Sequence, residues 1–227
     1  MPLLLALDSS TDTMAVALVT PAQTLVFEAA GGAQASARLL PEVRRLLAQA
    51  GVALADLDAI AFGQGPGAFT GLRTACAVAQ GLALGLDKPV LALDSLMLVA
   101  EDARTQGAGD EVWVAMDARI GEIYAARYRH DGHAWQVLDA PALYAPAALT
   151  AHWGTPAAVA GTALTAYADV LGPVSPAWPQ AASRAAALGA LALAAWQRGE
   201  TRDAAEALPV YVRDKVALTT AEREVRA

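Results

Sequence analysis

The segment Gly63-Gln64-Gly65-Pro66-Gly67-Ala68-Phe69-Thr70-Gly71 is the most unusual stretch of the chain. It follows a short apolar run, residues 59–62, and precedes a long apolar segment with helical character. A strand, a glycine loop and a helix in that order can offer free amides and a helix N-terminus to a phosphate. A P-loop would need Gly-Lys-Ser/Thr at the helix start, and this chain has Gly71-Leu72-Arg73. The glycine spacing also fails the G-x-G-x-x-G dinucleotide fingerprint. Two readings remain: an unorthodox phosphate cradle, or a tight turn that lets a helix approach a sheet.

Two aspartates end apolar runs. Asp8 follows Leu3-Leu4-Leu5-Ala6-Leu7, and Asp117, 109 residues later, follows Val112-Trp113-Val114-Ala115-Met116. Carboxylates at the C-terminal ends of strands often face ligands in α/β sheets, and a pair at one cleft can hold a nucleotide-bound cation. Asp8, with Ser10 and Thr11 in the turn after it, is therefore the candidate for a vestigial nucleotide site. Alternatively, each aspartate bonds the amides of its own turn, which is the expectation for Asp117 with Arg119 two residues on. His130 and His133 flank an Asp-Gly turn and His152 stands alone, so no His-x-x-x-His pair is available for a helical metal site. Cys76 is the one cysteine, which excludes an intrachain disulfide; it reads as a small core residue. There is no G-x-S-x-G elbow. No complete active site is present, and neither a metal nor a cofactor is expected.

The elements that would carry these residues repeat. Residues 3–8, 14–19 and 24–29 read as strands closed by Gly31-Gly32, and residues 112–117, 122–128 and 134–138 restart the same meander. Internal repetition fixes architecture, so two similar halves are expected, 1–107 and 108–227. Leu39, Leu40, Val43, Leu46 and Leu47 follow helical spacing up to Gly51. A helix is expected over 72–86, a strand over 90–93, and a helix capped by Ser95 and running to about Gln106. Further on, the expectations are a strand near 157–161, a short helix at 165–171, a proline-rich loop at 172–179, a helix over 181–198, and a frayed end from 219 to 227.

Helix 72–86 has Arg73, Thr74 and Gln80 as its only polar side chains. A helix apolar all round is enclosed on every side or covers a partner, and this one is too short to span a bilayer. Gly81 and Gly85 would let a second helix come close. An interface is the favoured reading, and central burial the alternative.

The chain has 227 residues, is 56% hydrophobic and 17% charged, and is rich in alanine, which excludes disorder as a description of most of it. Its formal charge of −7 makes it a poor stand-alone binder of nucleic acid, whose affinity comes chiefly from neutralising phosphates. The start Met1-Pro2-Leu3 has no basic region and too short an apolar stretch for a signal peptide, so a cytoplasmic location is expected.

Taken together, Gly65-Pro66-Gly67-Ala68-Phe69-Thr70-Gly71-Leu72-Arg73, Ala79-Gln80-Gly81-Leu82-Ala83, Asp117-Ala118-Arg119-Ile120-Gly121-Glu122-Ile123-Tyr124 and Pro209-Val210-Tyr211-Val212-Arg213 resemble the TsaB family. That family supplies the dimerisation subunit of the bacterial machinery for N6-threonylcarbamoyladenosine at position 37 of tRNA. The resemblance implies an α/β fold of the actin/sugar-kinase/heat-shock-ATPase (ASKHA) type, built from two ribonuclease-H-like halves related by duplication. It also implies a catalytic paralogue, TsaD, as heterodimer partner, a small ATPase, TsaE, docking on the pair, a homodimer when TsaD is absent, and tRNA reached only through the complex. Ser95 and Val99 stand where the paralogue carries two metal-binding histidines. Family members carry a histidine shortly before the Leu-Leu-Pro segment, where this chain has Gln34-Ala35-Ser36. The implied interface is the first two helices: Leu39, Leu40, Val43, Leu46 and Leu47 on one, and Arg73, Val78 and Leu82 on the other. The competing expectation is a free-standing nucleotide-dependent kinase or ATPase of the same superfold, with Asp8, Ser10 and Thr11 near phosphate.

Overall fold

The computed structural model describes residues 1–32 and 35–213. Gln34 and the end expected to fray, 219–227, lie outside the described residues. The apolar run after Met1 forms β1 (Leu4–Asp8), buried at every position because it is the middle strand of a sheet covered on both faces. β2 (Thr13–Val19) and β3 (Thr24–Ala30) add antiparallel on one side of it. β4 (Ala59–Gly65) and β5 (Val90–Asp94) add parallel on the other. The strand order is β3-β2-β1-β4-β5.

The second sheet repeats the first strand for strand. β6 (Glu111–Arg119) takes the central place, and β7 (Glu122–His130) and β8 (Trp135–Tyr144) run antiparallel on one side. β9 (Val159–Ala160) and β10 (Ala177–Trp178) run parallel on the other, giving the order β10-β9-β6-β7-β8. Two copies of one mixed sheet are the duplicated ribonuclease-H-like arrangement of the ASKHA fold.

Helices α1 (Ala35–Ala50) and α2 (Phe69–Leu86) cover one face of the first sheet. α3 (Ser95–Thr105) packs between the two sheets. α4 (Pro146–Trp153), α5 (Ala163–Ala166) and α6 (Ala168–Leu171) cover the outer face of the second. α7 (Ala185–Gln197), although it follows the second sheet in the chain, returns to cover the other face of the first, against β1, β2, β3 and β5. The strands thus divide on either side of 107/108, while the helices do not follow that division.

Several elements differ from expectation for identifiable reasons. α1 starts at Ala35 and continues through Pro41, a residue that argues against a helix interior. Asp94, not Ser95, caps α3: its Oδ1 accepts from the Leu96 and Met97 amides at 2.9 and 3.3 Å. β8 runs on to Tyr144 across Pro141, which an edge strand tolerates. The expected loop 172–179 contains β10, two residues long and too short for any periodicity. The single helix over 165–171 is two short ones broken at Tyr167, and α4 was not anticipated. Among the described residues no helix is long and apolar enough to cross a membrane.

Candidate functional site

The glycine loop meets the turn after β1 by direct backbone contact. A Cβ on Gly71 would lie 1.7 Å from the Ser9 carbonyl oxygen, and one on Gly67 2.4 Å from that of Ser10. The Ala68 amide donates to the Ser10 carbonyl (2.6 Å), and Ser9 Oγ donates to the Gly71 carbonyl (2.8 Å). The Ala68 amide, which a phosphate cradle would aim at a ligand, is thus spent inside the protein. These contacts support the tight-turn reading of the glycines, while Pro66, Gly67, Ala68 and Phe69 also line a cleft.

Asp8 lies beneath this junction, fully buried. Its Oδ1 accepts from the amide and the hydroxyl of Ser10 (3.0 and 2.8 Å), and its Oδ2 from Ser95 Oγ (3.2 Å). Ser95 Oγ in turn accepts from the Gly65 amide at 3.1 Å. A Cβ on Gly63 would sit 1.7 Å from Asp8 Oδ2, so glycine there makes room for the carboxylate. Ser183 Oγ, also enclosed, meets no hydrogen-bond partner of good geometry among the described residues, yet lies near enough to favour the ionised carboxylate. Burial outweighs these donors and raises the Asp8 carboxyl above its ordinary range. The expectation that Asp8 faces phosphate with Ser10 and Thr11 is corrected on this point: the serine and threonine line a cleft, and the aspartate is sealed below it.

That sealed acid has a testable signature. A raised folded-state pKa means the folded protein holds the proton more tightly than the unfolded chain. The resulting stability is complete below the unfolded value, about 3.9, and is lost as pH rises through the folded one. Asp8→Asn retains an acceptor for the Ser10 amide and does not titrate. Urea midpoints at pH 4 and pH 8 should therefore show the parent losing ground to the variant as pH rises; a pH-independent difference would refute the assignment.

The cleft lies between the two halves and has a volume of about 640 Å³. Ser10, Thr11 and Asp12 line it on one side, Asp117, Arg119 and Thr162 on the other, with residues 210–213 at its edge. Asp117 holds its own turn, as expected: it accepts from the Arg119 amide (2.8 Å), Arg119 Nη1 (3.1 Å) and the Tyr167 hydroxyl (2.8 Å). Arg119 Nη2 reaches across to Asp12 Oδ2 at 2.5 Å. Outside the lining of the cleft, the Tyr128 hydroxyl donates to Asp94 Oδ2 (2.7 Å), and Trp135 Nε1 to Glu101 Oε2 (2.9 Å), joining the halves at α3 and the strand end before it. Burial raises the Asp94 carboxyl and pushes the Tyr128 phenol well above its usual value.

The expected interface residues separate. Leu39, Val43, Leu46 and Leu47 are buried in the core between α1 and the first sheet, so the structure corrects their assignment: their side chains already fill the monomer's interior. Leu40, on the opposite side of α1, is exposed, as is Arg73 on α2. Val78 and Leu82 are half-buried against the core. The alternative of central burial for α2 fails as well: one stripe, including Leu72, Ala75, Ala79 and Ala83, is buried, while Ala77, Gly81, Leu84 and Gly85 face solvent. Leu84, absent from the expected interface, is 58% exposed, and its spacing from residues 77 and 81 puts it on one face with them. Cys76 is buried as expected, and its Sγ donates to the Ala207 carbonyl. Of the two positions matched to metal-binding histidines, Ser95 is committed to Asp8 and Gly65, and Val99 sits in the apolar cluster beside α3.

Comparison with known proteins places this geometry. The family described as TsaD, tRNA N6-adenosine threonylcarbamoyltransferase, matches residues 28–180. Two solved Pseudomonas aeruginosa structures, one described as YeaZ and one as similar to peptidase YEAZ, are each 40% identical to this chain. The alignments cover 93% and 94% of this chain and the whole of each of theirs, with TM-scores of 0.85 and 0.87. The tRNA threonylcarbamoyladenosine biosynthesis protein TsaB of Escherichia coli (strain K12) is 38% identical over 128 residues, 56% of this chain and 55% of its own length. Its namesake from Haemophilus influenzae is 40% identical over 121 residues, 53% and 51%. The chain spans about half the length of the curated relatives it matches. With a duplicated sheet, a glycine loop packed on the turn after β1, and near-complete correspondence to the YeaZ structures, the chain belongs to the TsaB (YeaZ) family within the wider threonylcarbamoyltransferase group.

Proposed function

We propose that the chain acts in the synthesis of N6-threonylcarbamoyladenosine on tRNA as a non-catalytic subunit. It pairs with the catalytic paralogue TsaD, helps dock the ATPase TsaE, meets tRNA only through the complex, and self-associates when TsaD is absent. The observation that carries the reading is the solvent-facing stripe of α2. Gly81 stands inside α2, where glycine costs about 1 kcal/mol relative to alanine, and Gly85 stands in its last turn. Among the described residues nothing lies within 4 Å of a Cβ built on either, so none of them requires these glycines to be small. A second helix laid against the stripe would require it, with Ala77 and Leu84 supplying apolar contact and Arg73 and Leu40 at the margins. The absence of chemistry in this subunit is supported by the sealed Asp8 and by the Ala68 amide bonded to Ser10. It is supported also by Val99, whose side chain has no lone pair to offer a metal.

The test is reconstitution with TsaD, TsaE, threonylcarbamoyl-adenylate and tRNA. Omitting this chain should abolish modification, and full activity without it would overturn the proposal. Leu84→Asp should lose association in light scattering while keeping the parent's melting temperature, because Leu84 contributes little to the monomer's core. The competing kinase or ATPase reading draws on Ser10 and Thr11 lining a roomy cleft. Micromolar ATP binding to the isolated chain by calorimetry would favour it.

A further inference from the structure

The last described residues cross from one half of the molecule to the other. From residue 202 the chain runs along β5 and α2, tied at many points. Arg202 and Val90 exchange backbone hydrogen bonds, both 2.9 Å, and Gln80 Nε2 donates to the Ala204 carbonyl at 3.1 Å. The Val210 amide donates to the Gln64 carbonyl at 2.6 Å, and Gly65 has no side chain to obstruct that approach. Tyr211 stacks on Phe69 with ring centroids 4.5 Å apart, and its hydroxyl accepts from Arg73 Nε at 3.1 Å.

Beyond Tyr211 the attachment changes sides. Val212 packs on the apolar cluster that α3 shares with the second sheet. Arg213 Nη2 donates to the carbonyls of Ala118 (3.0 Å) and Arg119 (3.2 Å) and to Glu122 Oε2 (2.6 Å). Those acceptors belong to the β6–β7 hairpin, whose tip is strained. Arg119 and Ile120 adopt φ of 64° and 56°, a region that a β-branched side chain avoids, and Ile120 is 78% exposed with no packing to hold it there.

We propose that residues 208–213 are a latch across the cleft. The two halves pivot about α3, where the Tyr128–Asp94 and Trp135–Glu101 bonds form the hinge side. The Arg213 guanidinium holds the open side shut and keeps the hairpin tip in its left-handed conformation. The Arg119–Asp12 bridge crosses the same gap, but its side chains are 66% and 86% exposed, so water screens it and it holds little. Arg213, 14% exposed and bonded to a carboxylate and two carbonyls, carries the closure. The α2 end, with its several separate ties, stays attached when the Arg213 end releases.

The inference is independent of any partner and is tested on the isolated full chain. Spin labels at Thr70→Cys and Asp169→Cys, both exposed and on opposite halves, report the opening by pulsed dipolar spectroscopy, with Cys76→Ser to leave only those thiols. With the labelled chain diluted into an excess of unlabelled chain, so that only distances within one chain are read, the parent should give one narrow distance distribution. Arg213→Ala should add a longer population amounting to at least a third of the molecules, and Arg119→Ala should leave the distribution as in the parent. An unchanged distribution in Arg213→Ala with an unaltered melting temperature would overturn the latch, as would an equal effect from Arg119→Ala. Should Arg213→Ala not unfold cooperatively, Arg213→Met decides on the same criterion: it keeps the length of the side chain but has no donor to replace Nη2, which makes all three bonds.

Discussion

Gly71→Ala should leave the protein unable to reach its folded state, at a cost of more than about 4 kcal/mol, in the range reserved for clashes that the backbone cannot relieve. The added methyl would stand 1.7 Å from the Ser9 carbonyl oxygen, a main-chain atom held by the turn beneath the first strand. Gly81→Ala, ten residues further along the same helix, should raise stability by about 0.5–1 kcal/mol, because its Cβ meets nothing and alanine is the better helix former. Urea unfolding of the pair checks both signs at once. Both are measured in a Leu84→Asp background, which removes self-association: if both substitutions then lose stability, the face bearing Gly81 is covered within the monomer after all; if Gly71→Ala folds normally, the close approach of α2 to the Ser9–Ser10 turn is wrong. The contrast separates a glycine required by the monomer from one that only a second chain can require.

Tyr128→Ala should cost about 3–5 kcal/mol for the lost aromatic volume, with a further cost for the exposed demand of Asp94. Tyr128 is fully buried and its hydroxyl is one of the donors to a carboxylate that also caps α3. Tyr128→Phe isolates the polar part and should cost about 1–3 kcal/mol. The larger substitution should also separate the two halves thermodynamically, so that tryptophan fluorescence and far-ultraviolet dichroism cease to report one coincident transition. Tyr128→Phe with parental stability would mean that the Asp94 bond contributes nothing net, and one coincident transition in Tyr128→Ala would mean that the halves are joined mainly elsewhere.

Much of this architecture is legible in the residues. Each central strand carries a continuous apolar run ended by aspartate, and each is followed by two further strands joined by turns, so the duplication shows in pattern without any close identity between the halves. The glycine loop and α2 are equally plain. What fails to show depends on distance in the chain. The burial of Leu39, Val43, Leu46 and Leu47 could be read as an amphipathic stripe, but whether that stripe meets its own sheet or another protein depends on partners remote in sequence. Asp8 looks like a ligand-facing carboxylate because its position at the strand end is right; that Ser95, 87 residues away, would close over it is not local information. Two-residue strands such as β9 and β10 exist through pairing alone and carry no periodicity of their own. Arg213 is invisible as a contact because two of its acceptors are main-chain oxygens, which any residue type would provide, and the third, Glu122, lies 91 residues away.

The return of α7 to the first sheet governs the order of events at the ribosome. The nascent chain emits the first five strands early, yet the face of that sheet bearing Leu4, Ala6, Ala15 and Ala17 finds its cover only when residues 185–197 emerge. Until then the leading half carries an oily surface in need of a chaperone or of shelter near the exit tunnel, and maturation of the earliest-made part waits on one of the last-made.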